Sequence, residues 1–151
     1  MRVNLRDYEL NVYEDGPEGH LFSARSLARA IGAERTGFGI YEVGPGQSTW
    51  PYHFELGSEE WLFVIQGEIV LRSPSGERTL RTGDVVCFPE GPDGAHAVRN
   101  DSDAVARFAM PSVDAPTNAA VYPDTGTFVL HGPGFNHRAR LGDPVEYWEG
   151  H

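Results

Sequence analysis

Basic residues are scarce in this chain. It has 12 lysine and arginine residues against 22 aspartate and glutamate residues, which gives a formal net charge of -10 at pH 7. A surface with this balance repels the phosphate backbone of a nucleic acid and also repels an anionic membrane. We therefore expect neither a nucleic acid nor a membrane as a partner.

Long apolar runs are missing too. The longest one has five residues, Trp61 to Ile65, and no apolar segment follows the two arginines of the N-terminal stretch MRVNLRDYEL. A membrane-spanning helix needs about 20 apolar residues, and a secretory signal needs an apolar segment of about 7 to 15. The sequence therefore predicts a cytoplasmic protein.

Cysteine occurs once, as Cys87 in DVVCFP, so an intramolecular disulfide is excluded. A thiol between β-branched and aromatic neighbours is usually a small buried hydrophobe, and we expect Cys87 to be one. The sequence also contains no recognisable phosphate loop, nucleophile elbow, dinucleotide fingerprint or zinc-finger spacing. The enzyme classes that depend on those motifs are therefore not indicated.

The chain does contain the material for one domain, residues 1–151, with 18 glycines and 11 prolines that imply many tight turns. Residues 1–35 are polar and irregular apart from ARSLARAIGAER, which predicts a short helix ended by Gly32. Residues 36–112 predict the core of an all-β sandwich or barrel. Its expected strands are GFGIYEV, PYHFEL, EWLFVIQ, EIVLRS, ERTLR, DVVCFP, HAVRN and AVARFAMP. Residues 113–151 predict an arm laid over the barrel rather than a second domain.

The stretch WPYHFELGSEEWLFVIQG sets a histidine and three carboxylates ahead of the most apolar run of the chain. Residues two apart in a strand project from the same face, so His53 and Glu55 point the same way. Glu60 begins the next strand, and Glu59 lies on the opposite face, where we expect a solvated turn residue.

The strand that begins at Glu60 is apolar on both faces, with Leu62 and Val64 on one and Trp61, Phe63 and Ile65 on the other. This pattern predicts a strand that is covered on both sides. Gly67 then permits the sharp reversal into the next strand.

Two ordered motifs in this region resemble those of the cupin superfamily, and the similarity extends over about residues 37–150. The first motif consists of Gly46, His53-x-Glu55, Glu60 and Gly67. The second consists of Gly83, Pro89-Glu90-Gly91, His96 and Asn100, with two extra residues before His96. The closing stretches YPDTG and VEYWEG are similar to those of small, uncharacterised single-domain bacterial cupins.

This resemblance implies a jelly-roll β-barrel that holds one divalent metal ion, either Mn, Fe, Zn or Ni. Carried over by position, the metal ligands are His53, Glu55, Glu60 and His96. The chain departs from the usual pattern at the second ligand, where Glu55 replaces a histidine. Two carboxylates about 4 Å apart repel each other by roughly 4 kcal/mol, which a divalent cation would remove. The alternative is that Glu55 turns outward or meets an arginine, leaving two hydrogen-bonded pocket histidines.

The weaker candidates lie around the mouth of the expected barrel. Trp50, Pro51 and Tyr52 precede the first ligand and suit either the lip of a pocket or ordinary packing. His131 and His137 flank GPGFN in the arm, and an arm folded over the mouth would bring one of them in as a lid residue. Loop histidines are more often simply exposed.

The resemblance implies a small-molecule ligand and leaves three functions open. The first is a metal-dependent enzyme acting on an organic acid, an enediol or a similar oxygen chelate by oxygenation, isomerisation or decarboxylation. The second is a non-catalytic module that binds a sugar or a small carboxylate, and the third is a barrel without chemistry. We also expect a homodimer through the N-terminal segment or the C-terminal arm, because a two-fold axis covers exposed sheet edges.

Overall fold

The computed structural model describes residues 2–113, 115–142 and 145–150. These residues form thirteen strands, one short α-helix and one 3-10 turn. The strands are β1 (Asn11–Tyr13), β2 (Phe22–Ser26), β3 (Thr36–Val43), β4 (Phe54–Leu56), β5 (Glu60–Gln66), β6 (Glu68–Ser73), β7 (Gly76–Arg81), β8 (Val85–Phe88), β9 (Ala97–Arg99), β10 (Ala106–Val113), β11 (Asn118–Tyr122), β12 (Thr127–Gly132) and β13 (Phe135–Arg140). Helix α1 spans Ala28–Ile31, and the 3-10 turn spans Pro92–Gly94. The all-β prediction is confirmed.

The strands pair antiparallel in three sheets. A six-stranded sheet has the order β1-β2-β3-β10-β5-β8, a four-stranded sheet the order β13-β12-β11-β4, and a three-stranded sheet the order β7-β6-β9. Two isolated bridges, Ser48 to Arg99 and His53 to His96, join the segment ahead of β4 to the segment around β9. The second of these bridges carries two of the predicted site residues.

The main core lies on the inner face of the six-stranded sheet, against β6, β7 and β9. Its members are apolar residues at alternating strand positions, as a half-buried strand requires. They are Val43, Leu62, Val64, Ile69, Leu71, Leu80, Phe88, Val98, Ala106, Phe108 and Met110. This core supports the strands that position the site.

The N-terminal third is more ordered than the sequence predicts. Residues 11–13 and 22–26 are strands, and only Ala28–Ile31 of the predicted helix is helical. The alternation of buried Phe22 and buried Ala24 with polar neighbours fits a strand with one covered face, and pairing with β3 outweighs helix propensity there. Gly32 does end the helix, in the left-handed conformation at φ 87°.

The outer face of β5 is only partly covered, so the prediction of cover on both sides is wrong for this chain. Ile65 packs into a second apolar cluster, in which N-terminal residues such as Leu5 and Leu10 cover Ala109 of β10. Trp61 and Phe63 lie outside that cluster and stay 40% and 38% exposed. The N-terminal segment covers β3, β10 and one end of β5, and leaves the other end open.

Cys87 is exposed, so the prediction of a buried thiol is wrong. It lies directly opposite Trp61 in the pairing of β5 with β8 and therefore on the same outer face. Its neighbour Phe88 takes the inward position and is buried. Partial desolvation, together with the negative charge of Glu59, raises the pKa of the Cys87 thiol.

The C-terminal segment contributes three strands that the sequence analysis did not predict, β11, β12 and β13. They extend β4 into the four-stranded sheet, with Glu55 directly opposite Ala120. No helix among the described residues has the length and hydropathy that a membrane span requires.

Candidate metal centre

His53 and His96 face each other in the barrel interior. Each backbone N–H donates to the carbonyl oxygen of the other residue, at 3.1 Å from His53 and 2.8 Å from His96. Their rings lie 4.7 Å apart between centroids, and both residues are buried, at 8% and 3% exposed. The reciprocal backbone pair therefore fixes the two imidazoles side by side.

The hydrogen bonds of the two rings determine their tautomers. His53 Nδ1 lies 2.7 Å from the carbonyl oxygen of Pro51, and His96 Nδ1 lies 2.9 Å from the carbonyl oxygen of Gly94. A carbonyl only accepts, so each Nδ1 carries the proton and donates it. The Nε2 lone pairs are left available, which is the usual arrangement of histidines that bind a metal.

Glu60 brings a carboxylate to the same place. It is the first residue of β5, and its Oε2 lies 3.5 Å from His96 Nε2. One ligand atom each from His53, Glu60 and His96 lie within 4.8 Å of one another. We call these three residues the His-Glu-His cluster.

The cluster fits a divalent metal ion. Glu60 Oε2 and His96 Nε2 are buried, and neither makes a hydrogen bond within the described residues. An unpaired buried polar group costs about 1–3 kcal/mol, and a cation between these atoms would satisfy both. Imidazole and carboxylate ligands suit Mn, Fe, Zn and Ni, and the structure does not distinguish among these ions.

Glu55 lies beside the cluster. Its Oε1 is 3.7 Å from His53 Nε2, and its side chain is 18% exposed. It thus faces the interior, and it forms no ion pair with an arginine among the described residues. The alternative in which Glu55 turns outward or meets an arginine is not what the structure shows. Its role as a fourth ligand remains a prediction.

The electrostatics favour uncharged groups at this site in the absence of a cation. Burial raises the pKa of Glu60 to about 7, and burial together with the charge of Glu60 raises the pKa of Glu55 to about 7. Burial and the neighbouring His53 lower the pKa of His96 to about 4, and burial lowers the pKa of His53. A bound cation reverses this preference for the carboxylates, because it stabilises their charged form.

The structure also places the residues of two other sequence expectations. Glu59 is exposed and accepts a hydrogen bond from Trp61 Nε1 at 3.0 Å, so its assignment as a solvated residue is confirmed. His131 and His137 are exposed and lie on β12 and β13 rather than in loops.

Asn100, which closes the second motif, has a structural role. It is fully buried, and its Nδ2 donates to the carbonyl oxygens of Val43 and Ala104 at 2.8 and 2.7 Å. Its Oδ1 accepts a hydrogen bond from the backbone N–H of Ser102 at 2.9 Å. Asn100 therefore fixes the turn between β9 and β10.

Two cavities lie next to the cluster, one of about 480 Å³ and one of about 280 Å³. Glu60 lines the smaller cavity, Tyr122 lines the larger one, and Tyr13 and Trp50 line both. Tyr122 stacks on His53 at 5.6 Å between ring centroids. We call the larger cavity the outer cleft. Its volume falls in the range of small-molecule sites. Trp50 and Pro51 line it, which agrees with the prediction that they form the lip of a pocket.

Sequence reasoning missed several residues of the outer cleft, among them His20 and Tyr122. His20 Nδ1 hydrogen-bonds the carbonyl oxygen of Thr49 at 2.5 Å. His20 comes from the loop before β2 and Tyr122 from the end of β11. Neither residue lies in the two cupin motifs. Tyr122 begins the closing stretch YPDTG, for which the sequence indicates no site role.

Comparison with known proteins identifies the family. A cupin-domain family model matches residues 39–112. The solved structure of a sugar phosphate isomerase of the cupin superfamily from Silicibacter pomeroyi superimposes with a TM-score of 0.83. That match covers 97% of this chain and 98% of the other, at 25% sequence identity. This chain belongs to the cupin superfamily.

Two further proteins are similar to this chain. A candidate sugar phosphate isomerase from Acidithiobacillus ferrooxidans has a TM-score of 0.78 at 22% identity, covering 87% of this chain and 83% of the other, and supports the fold alone. Auxin-binding protein ABP19b of Prunus persica is 32% identical over 92 residues, which is 58% of this chain. This chain covers 42% of the length of that relative. The predicted jelly-roll barrel is confirmed.

Proposed function

We propose that this cupin is a small metal-dependent enzyme that isomerises a sugar derivative with neighbouring hydroxyl and carbonyl oxygens. The observation that carries the proposal is the convergence of two unpaired buried atoms, Glu60 Oε2 and His96 Nε2, with the imidazole of His53. Isomerisation is favoured over oxygenation and decarboxylation by the similarity of nearly the whole chain to a sugar phosphate isomerase.

The cluster residues supply the chemistry that such a reaction needs. His53, Glu60 and His96 would hold the ion, and Glu55, at the position where the usual motif has a histidine, would be the fourth ligand. A divalent ion bound there acts as a Lewis acid toward the oxygen atoms of the substrate. The reaction moves one proton between adjacent carbon atoms and one between their oxygen atoms, and it needs no external oxidant or reductant. The mostly buried surroundings of the cluster limit access of bulk water.

The test measures metal content and isomerisation on the same preparations. Wild-type protein, Glu60→Gln and His96→Ala are loaded with Mn, Fe, Ni or Zn and desalted, and the bound metal is quantified. Interconversion of aldose and ketose phosphates is followed by NMR. Glu59→Gln is the matched control, because Glu59 is the exposed neighbour of Glu60 in the sequence.

We expect about one metal ion per chain in wild-type protein and in Glu59→Gln, and loss of metal and activity in the other two variants. Wild-type protein without stoichiometric metal, or Glu60→Gln that keeps it, contradicts the proposal.

A non-catalytic binding role is the second candidate. Tyr13, Phe22 and Trp50 form an aromatic wall of the outer cleft, with Phe22 and Trp50 at 4.7 Å between ring centroids. Such a wall suits capture of a flat or ring-shaped ligand, and the peach relative is named for binding auxin. Metal-free protein with undiminished ligand uptake would support this role.

A further inference from the structure

The outer cleft has polar lining residues in addition to its aromatic wall. Among them are Thr125, Thr127 and Arg138, and the hydroxyls of the two threonines lie 2.7 Å apart. Arg138 is the single arginine among the described residues that line this cleft, and Asp15 is the single carboxylate. A guanidinium and hydroxyl donors together provide the hydrogen bonds that a phosphate or a carboxylate accepts.

The strand register places Arg138 on the same face of the sheet as the predicted site. Glu55 pairs with Ala120, Ala120 with Val129, and Val129 with Arg138. Directly paired residues share a face, so these four side chains form one row across the sheet. The row crosses three strand spacings, or roughly 14 Å between the outer backbones.

Apolar side chains form the middle of the row. Ala120 and Val129 are small and buried, and they present no polar group between Glu55 and Arg138. Tyr122, which lines the outer cleft, stacks on His53 at 5.6 Å between ring centroids. The cleft that Arg138 lines therefore adjoins the His-Glu-His cluster through Tyr122.

Arg138 is a positive charge in a molecule that is strongly negative overall. With a net charge of -10, the protein as a whole repels small anions. Arg138 is exposed in the cleft and forms no ion pair with the residues that the structure describes. Its charge is thus directed toward the cleft rather than used in a surface pair such as Arg72 with Asp124.

We propose that Arg138 binds the anionic group, a phosphate or a carboxylate, of the small molecule whose other end reaches the His-Glu-His cluster. The inference rests on the proposed function and assigns the substrate class, an acidic sugar derivative. Arg138 is then the residue that distinguishes the phosphorylated or oxidised sugar from the neutral one.

The experiment compares Arg138→Gln with Arg78→Gln in zinc-loaded full-length protein. Arg78 is an exposed arginine on β7 that makes no ion pair among the described residues, so this control removes the same charge away from the cleft. Binding of ribose 5-phosphate, ribonate and ribose is measured by calorimetry at low salt, and zinc is quantified in every sample. The phosphate and carboxylate probes distinguish the two sources of the anion.

We expect wild-type protein and Arg78→Gln to bind one of the two anions at least tenfold more tightly than ribose. Removal of a charge-assisted hydrogen bond should weaken that anion by about tenfold to a hundredfold in Arg138→Gln and leave ribose unchanged. Equal anion binding in wild-type protein and Arg138→Gln, or wild-type protein that binds neither anion, overturns the inference. Loss of zinc from wild-type protein would instead contradict the proposed function, so the two failures are distinguishable.

Discussion

Among single residues, Glu55 has the greatest influence on the chemistry of the candidate metal centre. Its carboxylate lies 3.7 Å from His53 Nε2, and the charge of Glu60 contributes to its raised pKa. A histidine at this position, as in the usual cupin motif, would add a neutral ligand and remove one buried negative charge. The residue type at position 55 therefore affects both metal affinity and its dependence on pH.

We predict that Glu55→His binds Zn²⁺ at pH 6 at least tenfold more tightly than wild-type protein. At that pH a carboxylate with a pKa of about 7 has to release a proton before it can bind, whereas a buried histidine is already neutral. Chelator competition at pH 6 and pH 8 measures the effect, with Glu59→His as the control. An equal gain in Glu59→His would show that the cluster is not responsible.

The pH dependence of metal affinity reports whether Glu55 is a ligand. If both carboxylates bind the ion, two protons leave. The affinity of wild-type protein for the metal should then rise up to a hundredfold per pH unit below about pH 7. A change of at most tenfold per unit indicates that Glu60 alone ionises on binding. In that case Glu55 is available to transfer the proton that isomerisation requires.

The sequence predicts the site better where residues follow a motif than where they do not. His53, Glu60 and His96 stand at fixed distances from turn glycines, and those turns return the strands to one place in the barrel. Tyr122 and Arg138 reach the outer cleft because β11 pairs with β4, which lies far away in the sequence, and β12 and β13 extend that sheet. His20 reaches it from the loop before β2. Local pattern carries no information on such pairings, so these residues could not be predicted.

Among the elements, β5 and β6 are joined by a single residue, Gly67, which closes the first motif. Gly67 has φ 78°, and a Cβ there would lie 3.0 Å from Ala106 Cα and 3.1 Å from the carbonyl oxygen of Val105. Both neighbours are backbone atoms of the segment leading into β10, so they have little freedom to move. Gly67 thus links the sharp turn to the pairing of β5 with β10.

We predict that Gly67→Ala destabilises the protein by about 2–4 kcal/mol, from left-handed strain and backbone contact together. Denaturant unfolding at fixed pH measures it. Gly76→Ala is the informative control, since Gly76 also has positive φ, at 105°, but no atom lies within 4 Å of its added Cβ. Equal losses in the two variants would show that close approach at Gly67 contributes nothing.

The same contrast between local and distant effects explains which strands were predicted. β5 and β6 carry dense β-branched and aromatic runs, and their predicted bounds, residues 60–66 and 68–73, match the structure. β13, with the sequence FNHRAR, has mostly exposed side chains and is a strand because β12 pairs with it. A strand stabilised mainly by backbone pairing has no apolar alternation to recognise.

At the scale of the whole molecule, the uncovered outer face at the edge of the six-stranded sheet is a candidate dimer interface, distinct from the N-terminal segment and the C-terminal arm expected from the sequence. Trp61, Phe63 and Val85 are 40%, 38% and 47% exposed there, and exposed Cys87 lies beside them. A two-fold axis would bring this patch against the same patch of a second copy, which covers it and the edge strand β8 together.

We predict a dimer at micromolar concentration and a monomer for Phe63→Glu, measured by light scattering after gel filtration. Val12→Glu is the comparison, because Val12 is 60% exposed on the opposite edge strand, β1. Dissociation by Val12→Glu alone would place the interface on the N-terminal segment, and a monomeric wild-type protein would contradict the dimer.

The stability of the whole molecule should depend on pH and metal together. The raised pKa values of Glu55 and Glu60 mean that the folded metal-free protein holds protons that the unfolded chain has released. Stability from this source is present below about pH 4.5 and is lost as pH rises through about 7. The lowered pKa values of His53 and His96 act the opposite way, with stability present above pH 6.5 and lost as pH falls. The two effects oppose each other below pH 6.5, and only the carboxylates act above it.

We therefore predict that metal-free protein loses roughly 1–2 kcal/mol of unfolding free energy between pH 6.5 and pH 8. The matching fall in Tm is about 3–6 °C for a chain of this size. With saturating zinc the trend should reverse, because the ion binds the ionised carboxylates and stabilises the folded state more as its affinity rises. Calorimetric scans of metal-free and zinc-loaded protein across this pH range measure both slopes. Glu60→Gln should flatten both slopes, since it removes one titrating carboxylate and one ligand. Parallel slopes with and without zinc would show that the ion does not bind these carboxylates.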